Sequence, residues 1–291
     1  MFLRAVLILL ACSTGISAHG GEALEPHDLW TAWRFDPGTT IPLLVTAALY
    51  ARGARRSRGI ARREMVLFWM GWMTLALALV SPLHPLGEVL FSAHMAQHEI
   101  LILVAAPLMV LSRPLVPLLW GLPFGARRRA GQAAKTNAVQ SFWRWVTAPL
   151  SAWLIHGVAL WAWHVPSLFE ATLTNEWVHA AQHTSFFLSA LLFWWSLLYA
   201  RGRHGYGSAV VYVFTTGLHT SILGALLTFS RVPWYPAYQS TVAAWGLTVL
   251  EDQQVGGLIM WVPAGLVYVI AGLALFGAWM RQSDRVMDYA S

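Results

Sequence analysis

The chain reads as an all-α integral membrane protein, a seven-transmembrane helix bundle with its N-terminus outside and its C-terminus cytoplasmic. Three observations predict that class. Of 291 residues, 57% are hydrophobic and only 11% charged, against roughly 25% charged in soluble domains. Seven apolar stretches, at residues 37–52, 65–82, 90–112, 146–165, 178–200, 207–229 and 256–280, approach the about 20 residues that a helix needs to cross the hydrocarbon layer. The basic residues crowd into alternate connections, as short cytoplasmic loops require.

Taken in order, residues 1–18 have the form of a cleavable signal peptide. Arg4 precedes an apolar core from Ala5 to Cys12, and Ile16-Ser17-Ala18 ends in small residues. An alternative takes Leu9-Leu10-Ala11-Cys12 as a lipoprotein-type processing site, with Cys12 lipidated. Residues 19–36 form an exported N-terminal segment, and cleavage after Ala18 would leave His19 first, with its amine and ring nitrogen able to chelate copper. Residues 37–280 make the bundle and 281–291 a cytoplasmic tail. The first span is the weakest, because Pro42 interrupts it and arginines follow closely. Seven spans leave no room for a separate soluble domain. Cys12 is the only cysteine, so an internal disulfide and a thiolate metal cluster are both excluded.

Orientation comes from arginine and lysine placement. Arg52, Arg55, Arg56, Arg58, Arg62 and Arg63 follow span one, and Arg113, Arg127, Arg128, Arg129, Lys135 and Arg144 follow span three. Arg201 and Arg203 follow span five; Arg281 and Arg285 follow span seven. The other side has only Arg231 and, in the N-terminal segment, Arg34. The basic pI thus reflects topology and contact with anionic membrane lipid. It indicates no nucleic acid, for which no basic-aromatic groove is present.

With sides assigned, the histidines sort into one layer. His94-Met95-Ala96-Gln97-His98 and His179-Ala180-Ala181-Gln182-His183 both read H-x-A-Q-H, at the outer ends of spans three and five. Residues four apart on a helix share a face, about 6 Å apart along the axis. Spans three and five run in the same direction, so the two pairs lie at equal depth and present four imidazoles suited to one transition metal. His164 closes span four at the same surface, and Asp252 stands at the outer start of span seven. His27 lies in the N-terminal segment and His84 in the second outer connection. His156 and His219 fall mid-span, and His204 faces the cytoplasm. Polar residues in membranes also act simply as interhelical glue, and both readings stand for Gln97 and Gln182, which would otherwise fix a ligand's tautomer. Asp252 either completes coordination or complements its helix dipole, and Glu251 does the latter. Met70, Met73, Met109 and Met260 form no ladder and read as core packing, while Met95 lies inside the first motif. Trp161, Trp163, Trp177, Trp234 and Trp261 fit an interfacial belt.

Ser81-Pro82-Leu83, the first H-x-A-Q-H running to Ala106-Pro107, Trp163-His164-Val165-Pro166, the second H-x-A-Q-H followed by Phe193-Trp194-Trp195, and Asp252-Gln253-Gln254-Val255-Gly256-Gly257-Leu258-Ile259-Met260-Trp261-Val262-Pro263 occur in this order. Together they resemble the multi-span CtaG family, the assembly factors of caa-type cytochrome c oxidase, over about residues 40–280. The resemblance implies a bacterial inner-membrane protein that matures haem-copper oxidase rather than catalysing a reaction. Its recurrent histidines match His94, His98, His164, His179 and His183.

Three functions compete on these residues. In the first, the metal ligands His94, His98, His179, His183 and His164, with Asp252, accept copper from a periplasmic copper chaperone and pass it to cytochrome c oxidase subunits. Copper over zinc rests on the resemblance, since imidazole suits both. In the second, a zinc ion on the same residues activates water, as in an intramembrane hydrolase, although no nucleophile motif such as G-x-S-x-G accompanies it. In the third, spans three and five each give one axial histidine to a haem.

Overall fold

The structure, a computed structural model, describes residues 24–57, 59–199 and 205–288. The signal peptide, Cys12 and its lipidation, His19, Arg58, Arg201, Arg203, His204 and the last three residues of the tail lie outside the described residues. Among the described residues every regular element is helical. The chain forms two compact units, one of Met1–Ser141 with Tyr238–Thr248, the other of Phe142–Ala237 with Val249–Ser291.

In the first unit, α1 spans Pro37–Arg56. The Asp36 side chain caps it by accepting the Thr39 N–H at 2.9 Å, and Pro37 opens its first turn. Pro42 lies inside the helix, which continues through it with the bond to the Gly38 carbonyl missing. Helix α2, Arg62–Val80, begins where Glu64 accepts the Ala61 N–H. Only 22% of its apolar window is covered by protein, and Val66, Met70, Met73 and Leu77 line its open face. Met70 and Met73 therefore belong to an apolar exterior, a correction to their reading as core. Met95, Met109 and Met260 are buried.

A short α3, Leu83–Val89, leads to α4, Phe91–Glu99, a π-helical turn at Ile100–Ala105 and α5, Ala106–Leu111. Pro107 has no N–H and its ring would collide with the carbonyl one turn earlier. The wider π turn before it absorbs that misfit. Three further helices, α6 (Leu115–Gly121), α7 (Phe124–Ala134) and α8 (Asn137–Val146), occupy what the sequence suggested was a basic connection. α1 packs along α6, and α2 packs on α3, on the π turn and on α5.

The second unit holds α9 (Pro149–Trp163), α10 (Pro166–Thr174), α11 (Glu176–Tyr199), α12 (Gly205–Thr228) and α13 (Val249–Asp288). α9 and α10 pack on α11, and α12 runs along α13. The α12–α13 crossing is set by glycine. A Cβ on Gly224 would lie 2.9 Å from the Gly257 oxygen, and one on Gly257 would lie 2.7 Å from the Gly224 oxygen. Only backbone fits there. At 40 residues α13 is about 60 Å long, twice the roughly 30 Å of hydrocarbon.

Among the described residues helices occupy most of each of the seven expected stretches, the fourth being broken at 147–148. Four helices are long and apolar enough to cross a membrane: Arg62–Val80, Phe91–Leu111, Gly207–Thr228 and Val249–Arg281. A fifth results if Asn137–Val146 and Pro149–Trp163, bent by 64°, count as one span.

Candidate metal centre

In the first unit, helical spacing brings His94 and His98 together on α4, with ring centroids 4.4 Å apart and nearly perpendicular. Both are buried, at 0% and 3% exposure. The Nδ1 of His94 lies 3.2 Å from the Gly87 carbonyl oxygen. A carbonyl only accepts, so Nδ1 carries the proton and Nε2 the lone pair, the tautomer a metal requires. The same oxygen accepts the Tyr238 hydroxyl at 2.9 Å. Gly87 lets α3 approach this closely, because a Cβ there would stand 3.2 Å from the His94 Cα.

Gln97, fully buried between the two histidines, donates its amide to the Ala78 carbonyl at 2.7 Å and reaches the His84 Nδ1 at 3.0 Å. Since Ala78 fixes which end of the amide is nitrogen, His84 accepts at Nδ1 and is protonated at Nε2. Both expectations for Gln97 therefore hold in part: it ties α4 to α2, and it sets a ring tautomer. The ring is that of His84 in α3. Burial, followed by the charges of Arg34 and His94 and opposed by Asp36, pushes His84 down to about 3. It is a neutral imidazole near neutral pH.

In the second unit, His179 and His183 lie on α11, both 7% exposed. Their Nε2 atoms are 3.1 Å apart. Two imidazole nitrogens on one tetrahedral ion, with bonds of about 2.0–2.1 Å, stand about 3.3 Å apart. At 3.1 Å one ring's Nε2–H donates to the lone pair of the other, and moving that proton to Nδ1 would leave two lone pairs close to this spacing. Gln182 between them is fully buried.

His164 follows the end of α9, 3% exposed, with its Nδ1 2.7 Å from the Leu160 carbonyl. That bond again leaves the lone pair on Nε2. The Tyr235 hydroxyl holds the His164 carbonyl at 2.8 Å. Asp252 is fully buried in the first turn of α13, whereas Glu251 beside it is exposed. Gln253 clamps the preceding loop by accepting the Trp234 N–H and donating to the Leu227 carbonyl.

Residues 48–282 match the family described as cytochrome c oxidase caa3 assembly factor. The chain belongs to that family. Among curated proteins, it is 27% identical over 286 residues to an uncharacterized protein of Mycobacterium leprae, covering 92% of this chain and 43% of that protein. It is 27% identical over 270 residues to uncharacterized proteins of Mycobacterium bovis and Mycobacterium tuberculosis, covering 88% of this chain and 40% of each. The chain thus spans about two-fifths of the length of these relatives. No solved structure matches it. Of the five histidines expected at the site all are buried, and His94 and His164 have their tautomers fixed by backbone carbonyls. His84, Gly87, Tyr235 and Tyr238 are the neighbours that sequence reasoning left out of the site; only the nearness of His84 to Ser81-Pro82-Leu83 could have pointed to any of them.

Proposed function

We propose that the protein assists assembly of a haem-copper cytochrome c oxidase in the bacterial inner membrane by binding and handing on copper. Copper here is cargo. The observation that carries the reading is that the Nε2 atoms of buried His179 and His183 meet in a 3.1 Å hydrogen bond, so that moving the one shared proton to Nδ1 would leave two lone pairs near the about 3.3 Å bite of one tetrahedral ion. His94 supports it through its Gly87-fixed tautomer, and His164 through its bond to Leu160.

Two imidazoles hold a copper ion only at low coordination, and a second pair would complete a four-nitrogen set. The sequence supplies the second pair, His94 and His98, at the same depth of a parallel span. On that ground we assign all four to one site, with His164 and Asp252 in the same layer. Seven spans with an exported N-terminus would turn this layer toward the periplasm, where a copper chaperone can load it. The arginine pattern and the seven largely helical stretches support that topology. The absence of thiolates makes the site exchangeable, because imidazole holds cuprous copper less tightly than sulfur does.

Deleting the gene should yield oxidase with haem but depleted of copper. The wild-type gene should restore the copper, and a His179→Ala, His183→Ala double variant of normal abundance should not. Fully metallated oxidase in the deletion strain would refute the assembly role. Full rescue by the double variant would refute the part given to these histidines.

A further inference from the structure

Deep in the second unit, a different set of polar atoms is buried among apolar helices. His156 on α9 is 1% exposed. Its Nδ1 lies 3.0 Å from the Ser189 hydroxyl of α11, and that hydroxyl gives its own proton to the Phe186 carbonyl at 3.1 Å. Ser189 can therefore only accept from His156. The ring is held as the Nδ1–H tautomer, with an Nε2 lone pair that meets no partner among the described residues. The Phe193 ring lies against its side at 5.3 Å.

His219 of α12 enters the same region. Its ring stands edge-on to Trp153, 5.5 Å between centroids, and touches the space beside Gly157 at 3.7 Å. Trp153 and Gly157 bracket His156 on one turn of α9, so His219 lies across the turn that carries His156. Both of its ring nitrogens, and the Trp153 indole nitrogen, are likewise buried without a partner among the described residues. Buried polar atoms normally find partners. Two imidazoles with unsatisfied nitrogens, one carried by a turn of α9 and the other lying against the residues on either side of it, mark a position built to hold something.

We propose that His156 and His219 form a second metal site, selective for a monovalent d10 cation of the Cu⁺/Ag⁺ class and independent of the outer histidine pairs. Imidazole nitrogen is a ligand for copper, and cuprous ions accept low coordination numbers. The charge selects the valence. α9 and α12 contain no Asp, Glu, Lys or Arg, and the acids of α11 and α13 stand toward the helix ends, Glu176, Glu251 and Asp252 in the first turns and Asp284 and Asp288 in the last two turns of α13. Two neutral rings cannot offset a divalent ion in this medium. Solvation cost rises with the square of the charge, so a monovalent ion is about four times less costly to bury.

The test uses the full-length protein in detergent with His94, His98, His179 and His183 all changed to Ala, titrated with Ag⁺ and with Zn²⁺. The expected result is retention of about one equivalent of Ag⁺, bound through nitrogen by X-ray absorption, and no Zn²⁺. Adding His219→Phe, which removes no hydrogen bond and keeps the ring contact with Trp153, should abolish it. Adding His156→Asn instead keeps a donor to Ser189 while deleting Nε2, and should do the same. Loss of all Ag⁺ from the outer variant, with wild type still binding, would overturn this site and leave the outer one standing. Equal binding of Zn²⁺, or Ag⁺ retained in both added variants, would also overturn it. If removing the outer histidines costs wild type no metal, the outer site fails and this one does not.

Discussion

Replacing Gln97 by leucine isolates the part of the outer layer that is structural. The amide is fully buried and donates to two acceptors, the Ala78 carbonyl at 2.7 Å and the His84 Nδ1 at 3.0 Å. Leucine fills nearly the same volume and strands both. A buried acceptor that loses its partner costs about 1–3 kcal/mol, so the two together cost about 2–6 kcal/mol. Relief comes from the other end of the amide, because the Gln97 Oε1 is buried with no partner among the described residues; its removal returns about 1–2 kcal/mol. Taking the middle of each range, the net expectation is a loss of about 2–3 kcal/mol. Gln254→Leu provides the comparison, since Gln254 is part-buried and makes a single bond to the Ser230 carbonyl at 3.1 Å; it should lose less than about 1 kcal/mol. Reversible unfolding in mixed micelles, followed by tryptophan fluorescence, measures both. A Gln97→Leu loss below about 0.5 kcal/mol, or one equal to that of Gln254→Leu, would refute the account of Gln97 as the tie between α2, α4 and His84.

The Gly257→Ala variant should lose about 2–3 kcal/mol, because its methyl would meet the Gly224 carbonyl at 2.7 Å and force α12 from α13; stability unchanged within error would contradict the crossing described. Gly87→Ala should weaken copper binding about tenfold without deleting a ligand, since the methyl presses on the His94 Cα at 3.2 Å and shifts the carbonyl that sets its tautomer; unaltered affinity by chelator competition would count against that role. His84 makes stability pH-dependent. Its folded value of about 3 lies below the ordinary 6.5, so between those limits the unfolded chain binds the proton and the folded one does not. Stability is constant above pH 6.5 and falls as pH drops toward 3. At pH 5 the cost is about 2 kcal/mol, and His84→Gln should flatten the profile by that amount; an unchanged profile would show that the ring titrates normally in the fold.

The helical class was legible because composition and apolar run length report directly on the solvent around a helix. Every expected stretch is largely helical, yet α1 and α11 fall outside the set of helices long and apolar enough to cross on their own. Pro42 and the run of arginines dilute α1, and buried His179, Gln182 and His183 dilute α11. Short helices α6, α7 and α8 escaped notice because prolines and basic residues mark their surroundings as a loop. Helix periodicity sufficed to pair His94 with His98 and His179 with His183. It could not show that Gly87 and Gln97 set tautomers or that Tyr238 holds the Gly87 carbonyl, because those contacts join residues whose separation carries no period; Tyr238 reaches Gly87 across 151 positions. Exposure misled at Met70 and Met73, where an apolar side chain beside lipid has the same sequence signature as one in a core.

The claim that the twin H-x-A-Q-H motifs bind copper is tested most directly by the metal content and visible spectrum of the purified protein beside His94→Ala and His183→Ala. The account predicts copper in the wild type, strong depletion in both variants, and no Soret band. Zinc in place of copper, a haem spectrum, or copper undiminished by both substitutions would contradict it.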